Sequence, residues 1–126
     1  MKMGKKKILI VDDEKTFCWM VKINLEKTGE YEVKTESKSR MALSAAREFK
    51  PDLIILDVVM PDMYGTEICK KISQEKDLKD IPIVFLTAIV TEAEAEFQEG
   101  IIEGRPTLAK PITTEKLITH IERMLE

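Results

Sequence analysis

The chain is poor in the residues that most often announce chemistry. Its 126 residues include two cysteines, one histidine and one tryptophan. Cys18 and Cys69 lie far apart, in no metal or redox spacing, and read as reduced thiols rather than a disulfide framework. No apolar run is long enough to span a bilayer. The longest, Ile81 to Val90, is interrupted by Pro82 and Thr87. Ile8 to Val11 follows a basic start but is too short for a signal peptide, so the expected setting is cytoplasmic, with no membrane partner. A basic stripe is missing as well. The net charge is -3, and the one cluster, Lys2 with Lys5-Lys6-Lys7, reads as a solvated gatekeeper ahead of the first strand. That argues against direct contact with nucleic acid. No glycine-rich loop follows the first strand, which disfavours a nucleotide or flavin site. His120 falls at the margin of a helix's core face and reads as solvent-facing rather than as a metal ligand or relay.

What the chain does have is a globular balance, 44% apolar and 34% charged, at a length suited to one domain. Strand patterns alternate with helix patterns. Lys7 to Val11 is the first strand, followed from Asp13 or Glu14 by a helix with Phe17, Met20, Val21, Asn24 and Leu25 on one face, ended by Gly29. Tyr31 to Thr35 is a second, half-exposed strand. Ser39 then caps a helix carrying Met41, Ala42, Ala45, Ala46 and Phe49, which Pro51 stops. Leu53-Ile54-Ile55-Leu56 reads as a strand buried on both faces, and Tyr64-Gly65 leads into a helix with Ile68, Cys69 and Ile72. Ile83 to Leu86 is the fourth strand. A short acidic helix over Thr91 to Glu99, a fifth strand over Thr107 to Ala109 and a last helix from about Thr114 to Leu125 complete the pattern.

Five strands alternating with five helices imply an α/β fold: a doubly wound parallel sheet covered on both faces. Ligands of such sheets bind outside the carboxyl ends of the strands. Here those ends carry Asp12-Asp13, Asp57, Thr87 and Lys110. Any one of them could be an ordinary cap, but four strand ends at once argue for a site. Crowded carboxylates repel one another and raise some of their pKa values. A hard divalent cation such as Mg²⁺ relieves that repulsion. An aspartate can act as a nucleophile to form an acyl phosphate, with an ammonium and a hydroxyl holding the phosphoryl oxygens.

Val11-Asp12-Asp13-Glu14, Pro51-Asp52-Leu53-Ile54-Ile55-Leu56-Asp57 with Met60-Pro61 and Gly65, Leu86-Thr87-Ala88 and Lys110-Pro111 together resemble a response-regulator receiver domain of two-component signalling. The likeness runs the whole length, so residues 1–126 are expected to form a single receiver domain with no output domain. It implies a flavodoxin-like strand order 2-1-3-4-5, the order for which the chemotaxis regulator is the usual illustration. It also implies that Asp57 accepts phosphate from a histidine kinase or phosphotransfer protein. Asp12, Asp13, Asp57 and the backbone carbonyl of Val59 would hold Mg²⁺. Thr87 and Lys110 would bind the phosphoryl group, with a cis Lys110–Pro111 bond aiming the lysine. The chain would then be no enzyme beyond its own phosphorylation and dephosphorylation, and would signal to a downstream effector protein. Two other readings stand beside this one. A phosphorylation-independent adaptor normally lacks one of the five site residues. A small-molecule phosphohydrolase needs an acid/base carboxylate where Val59 stands.

Two departures from the family pattern stand out, and a further feature points to a partner. Three residues before Lys110 the family usually has Tyr or Phe, and here the position is Thr107, within Gly104-Arg105-Pro106-Thr107. The usual aromatic readout of the site is therefore missing. Val59 and Ile89, each two residues beyond a site residue, are apolar where polar groups elsewhere help orient the attacking water. On the first helix, Trp19 and Ile23 fall off the core face beside each other and are candidate anchors for the kinase. If Val59 and Ile89 exclude water, polar replacement of both shortens the half-life of the phosphorylated chain; an unchanged half-life disproves it.

Overall fold

The computed structural model describes residues 4–88, 101–102 and 104–126. Its strands are β1 (Lys6–Val11), β2 (Tyr31–Glu36), β3 (Leu53–Leu56), β4 (Ile83–Thr87), β5 (Ile101–Ile102) and β6 (Arg105–Ala109). Its helices are α1 (Lys15–Glu26), α2 (Ala42–Phe49, entered through a 3₁₀ turn at Ser39–Met41), α3 (Gly65–Ser73) and α4 (Thr114–Met124). The sheet order is β2-β1-β3-β4-β6-β5. The expected five parallel strands are all present, with β6 in the fifth place and begun two residues earlier than its pattern suggested. The sixth strand is new: β5 runs antiparallel along the β6 edge, Ile101 opposite Pro106 and Ile102 opposite Arg105. The helix expected over Thr91–Glu99, and Ile89 with it, lie outside the described residues.

The central strands are apolar on both faces, so their side chains alternate between two cores. Leu9, Val11, Ile54, Leu56, Ile83 and Phe85 pack with α2 and α3 through Ala42, Ala45, Ala46, Ile68, Cys69 and Ile72. Ile8, Ile10, Leu53, Ile55, Val84 and Leu86 pack with α1 and α4 through Cys18, Val21, Leu25, Leu117 and Ile121. On α1 the inward line is Cys18, Val21 and Leu25 rather than one through Met20, which is 49% exposed. One residue is about 100° of helix, so Met20 stands well round from Val21. Met41 is likewise exposed, because it belongs to the 3₁₀ turn and not to α2. Ser39 does not cap α2. Its hydroxyl donates to the Pro61 carbonyl at 2.6 Å and ties the start of the helix to the loop after β3.

Both outer edges of the five parallel strands are partly covered, that of β6 by β5. The carbonyls of Glu30, just before β2, and of Glu36, its last residue, face β1, where they accept from the amides of Lys6 and Asp12. Val33, at odd parity, turns its polar groups outward. There its N–H donates to Glu26 at 3.0 Å, and its carbonyl accepts from Lys22 at 2.6 Å. The Lys22–Glu26 pair of α1 thus occupies an edge that would otherwise be open to another strand. Lys7 is also not the solvated gatekeeper it resembled. Its ammonium donates to the Phe49 carbonyl at 3.0 Å and lies 4.8 Å from the ring centroid of Phe49. That satisfies a carbonyl left unpaired where α2 ends.

Gly65 decides how α3 approaches the strand end. Its N–H donates to the Val58 carbonyl at 2.7 Å. A Cβ at this position would lie 2.0 Å from the Asp57 carbonyl oxygen and 3.1 Å from the Val58 Cα. The requirement is close approach of two backbones, not a special φ. Gly65→Ala is expected to cost about 1–3 kcal/mol by overpacking. Urea denaturation measures that cost, and a stability equal to the parent would contradict the approach described.

Candidate functional site

Hydrogen bonds across the strand ends bring the site together. The Asp57 amide, first after β3, donates to the Val11 carbonyl at 3.0 Å, which sets Asp57 beside Asp12 at the end of β1. The Lys110 amide, first after β6, donates to the Thr87 carbonyl at 3.0 Å and joins the lysine to the end of β4. Asp12, Asp57 and Thr87 are buried, while Asp13 is exposed at the mouth. One carboxylate oxygen from each of Asp12, Asp13 and Asp57 lies within 4.8 Å of the others. Lys110 reaches into this group. Its Nζ is 2.5 Å from Asp12 Oδ2, 2.7 Å from Glu14 Oε1 and 3.8 Å from Asp57 Oδ2. The Lys110–Pro111 bond is cis.

Burial sets the electrostatics of the cluster. The Asp57 carboxyl is pushed up to about 6, first by burial and then by the neighbouring Asp12 charge, with Asp13 adding and Lys110 opposing. Asp12 is raised too, again by burial. The Lys110 ammonium and the Glu14 N–H, which donates to Asp12 Oδ1 at 3.0 Å, hold that rise in check. For Lys110, burial favours the neutral amine, but its hydrogen bonds to Asp12 and Glu14 outweigh it, and the net shift is upward. The ammonium therefore stays charged. Two buried carboxylates with one exposed carboxylate at the mouth form a pocket of oxygen donors with a deficit of positive charge. Such a set fits a hard divalent cation.

Several residues near the site were not legible as parts of it. Glu14 reads as a helix start, yet its side chain binds Lys110 across the site. Phe17 reads as core, yet its ring centroid lies 4.7 Å from the Lys110 ammonium. Neither pairing leaves a trace in local spacing, since each depends on how α1 meets the end of β6. Cys18 lies close by, its thiol donating to the Asp12 carbonyl at 3.3 Å. Burial, and then the Asp12 charge, push that thiol up to about 12, so it is a core group and not a nucleophile.

The remaining candidates are placed as follows. Val59 is exposed on the rim. Thr107 is 5% exposed, sits opposite Phe85 across the β4–β6 pairing and donates its hydroxyl to the Arg105 carbonyl at 3.4 Å. The position expected to hold a swinging aromatic thus holds a small buried hydroxyl. Trp19 is 63% exposed, the most exposed large apolar side chain among the described residues, while Ile23 is half-buried. His120 is partly buried, and its pKa is lowered by burial and then by Arg123 and Lys116.

The raised Asp57 carboxyl makes stability depend on pH. Its ordinary value is 3.8 and its folded value about 6, so the folded state holds the proton more tightly. The contribution is fully present below the ordinary value and is lost as pH rises through the folded one. Asp57→Asn is therefore expected to stabilise the cation-free chain at neutral pH, by about 2–3 kcal/mol. The gain should fade in acid. Urea denaturation with a chelator across pH measures it, and a destabilised Asn variant at neutral pH would refute the crowding.

Comparison with known proteins agrees with this architecture. The family model described as the response regulator receiver domain matches residues 8–122. The alkaline phosphatase synthesis transcriptional regulatory protein PhoP of Bacillus subtilis is 47% identical over 83 residues, 66% of this chain and 33% of PhoP. The phosphate regulon regulator PhoB of Rhizobium meliloti is 33% identical over 120 residues, 94% of this chain and 52% of PhoB. The chain thus spans a third to a half of the length of these two regulators. It spans 96% of the polar-differentiation response regulator DivK of Brucella ovis, which is 30% identical over 95% of this chain. Among solved structures, the chemotaxis response regulator CheY4 of Vibrio cholerae superposes with a TM-score of 0.82 at 35% identity, covering 97% of this chain and all of that one. No helix among the described residues is long and apolar enough to cross a membrane. Receiver domains are phosphorylation-dependent signalling switches rather than ordinary enzymes, and they typically bind Mg²⁺ through acidic residues. A five-strand parallel order, a carboxylate trio and a lysine at one rim, and a family match over most of the length all agree: this chain belongs to the response regulator receiver domain family.

Proposed function

We propose that this chain is a phosphorylation-dependent signalling switch in which Asp57 accepts a phosphoryl group from the phosphohistidine of a histidine kinase or phosphotransfer protein. The observation that carries this reading is the buried Asp57 carboxylate, set within 4.8 Å of two other carboxylates and 3.8 Å from a lysine ammonium. In the transfer, an Asp57 oxygen attacks phosphorus while the phosphorus–nitrogen bond breaks. The electron pair of that bond leaves with the histidine ring, and an acyl phosphate remains on Asp57.

Asp12, Asp13 and Asp57, with the Val59 carbonyl, would hold Mg²⁺, which when bound neutralises charge on the phosphoryl oxygens. The chain's own groups do the rest. Burial and the Asp12 charge push the Asp57 carboxyl up to about 6, and its ionised form is the nucleophile. Lys110, kept protonated by Asp12 and Glu14, offers its ammonium to a phosphoryl oxygen, and the Thr87 hydroxyl at the end of β4 offers a second donor.

A cytoplasmic setting, a single receiver unit and contact with a downstream effector protein belong to the same reading. The exposed Trp19 on α1 is the proposed anchor for the phosphodonor protein, because large aromatic side chains dominate such contacts. The buried Thr107 supports an output route that does not pass through an aromatic at that position.

Incubation with Mg²⁺ and acetyl phosphate, followed by intact-mass measurement, tests the chemistry. One phosphoryl group should be added to the parent and none to Asp57→Asn. Trp19→Ala should leave labelling by acetyl phosphate unchanged and slow transfer from a cognate kinase about tenfold. Absence of labelling in the parent would favour a phosphorylation-independent adaptor, and equal kinase transfer to Trp19→Ala would remove Trp19 from the docking face.

A further inference from the structure

The Lys110 ammonium lies among groups that differ in what they can do for it. Asp12, at 2.5 Å, is buried but is also a proposed metal ligand, so its oxygens are shared. Glu14, at 2.7 Å, has a side chain that is 63% exposed, and a pair made with so solvated a carboxylate fixes a flexible lysine poorly. Asp57 is farther away, at 3.8 Å. The remaining neighbour carries no charge. The Phe17 ring, in the first turn of α1, is packed against the core that includes Ile10, Cys18, Leu86 and Leu117. Its centroid is 4.7 Å from Lys110 Nζ. An aromatic face attracts a cation without accepting a conventional hydrogen bond. It therefore supports the ammonium while leaving N–H donors for oxygen atoms.

We infer that Phe17 is a positioning residue, holding the Lys110 ammonium at the carboxylate cluster through the face of its ring. The inference rests on the proposed role of Lys110 in binding the phosphoryl group. A lysine has a long stem with many rotamers, and a ring packed against the core reduces its freedom. The ring matters most when a metal ion draws on the Asp12 oxygens, since the alternative partner, Glu14, leads the ammonium outward toward solvent. An aliphatic residue would fill the same core space without this attraction, so the aromatic character of Phe17, and not only its bulk, is what acts on Lys110.

Phe17→Leu and Phe17→Tyr separate the two contributions, with thermal denaturation confirming that both variants fold. In the parent, the Lys110 ε-methylene protons should show an upfield ring-current shift by NMR. The shift should vanish in the Leu variant and persist in the Tyr variant. The rate of labelling by acetyl phosphate with Mg²⁺ should fall about three- to tenfold in Phe17→Leu and recover in Phe17→Tyr. A parent without the ring-current shift overturns the inference. So does a Leu variant that loses the shift but keeps the parent rate, or a Tyr variant as slow as Leu. Failure of the parent to accept a phosphoryl group overturns the functional reading instead, and the NMR shift then decides the placement of Lys110 by itself.

Discussion

The repulsion between the buried carboxylates of Asp12 and Asp57, offset by the single ammonium of Lys110, is the interaction on which the rest of this structure turns. It arises because parallel strands deliver their last residues to one rim, and two neighbouring strands end here in aspartate. The Asp57 amide bonded to the Val11 carbonyl fixes the two acids side by side. Burial then makes their charges costly, as the upward shift of both carboxyls records. Lys110 lies closer to Asp12 than to Asp57 and leaves part of the negative charge uncompensated. The site is therefore short of positive charge, which is the physical ground for the metal and phosphoryl chemistry proposed above. In that proposal a bound cation would relieve the repulsion between the acids and leave Lys110 to a phosphoryl oxygen.

The scaffold around this cluster sets its geometry through contacts from several helices. Gly65 lets the start of α3 approach the Asp57 backbone to a distance that no side chain would permit. Ser39 links the start of α2 to Pro61, just beyond the acid. Phe17 and Glu14 bring α1 to bear on Lys110, so three helices contribute to the positions of residues that themselves stand at strand ends. Away from the site, the Lys22–Glu26 pair and the short β5 strand occupy the two sheet edges. Unpaired backbone groups there would otherwise invite strand addition.

Thr107 stands where the resemblance to the family led to the expectation of an aromatic residue. A threonine opposite Phe85, buried and hydrogen-bonded to its own strand, has neither the size nor the freedom to swing between inward and outward positions. Its surroundings are unusual as well, since β6 begins at Arg105 and is flanked by an antiparallel strand absent from the five-strand plan.

The sequence by itself determined the sheet, the two-sided core and the identity of the rim residues. These follow from short-range patterns: apolar runs buried on both faces, helix periodicity between them, and polar residues where the runs stop. Asp12, Asp57, Thr87 and Lys110 could be named because each ends a strand. The tertiary structure decided what depends on distance between separate elements. Met20 faces outward and Cys18 inward because the exact roll of α1 is set by packing against the sheet, which a helical wheel leaves free. Lys7 serves the end of α2, and Phe17 and Glu14 serve Lys110, because elements remote in sequence meet there. The two-residue β5 strand has too little pattern to be read at all. Local periodicity fixes which face a residue belongs to, whereas contact between faces is fixed only when the elements pack.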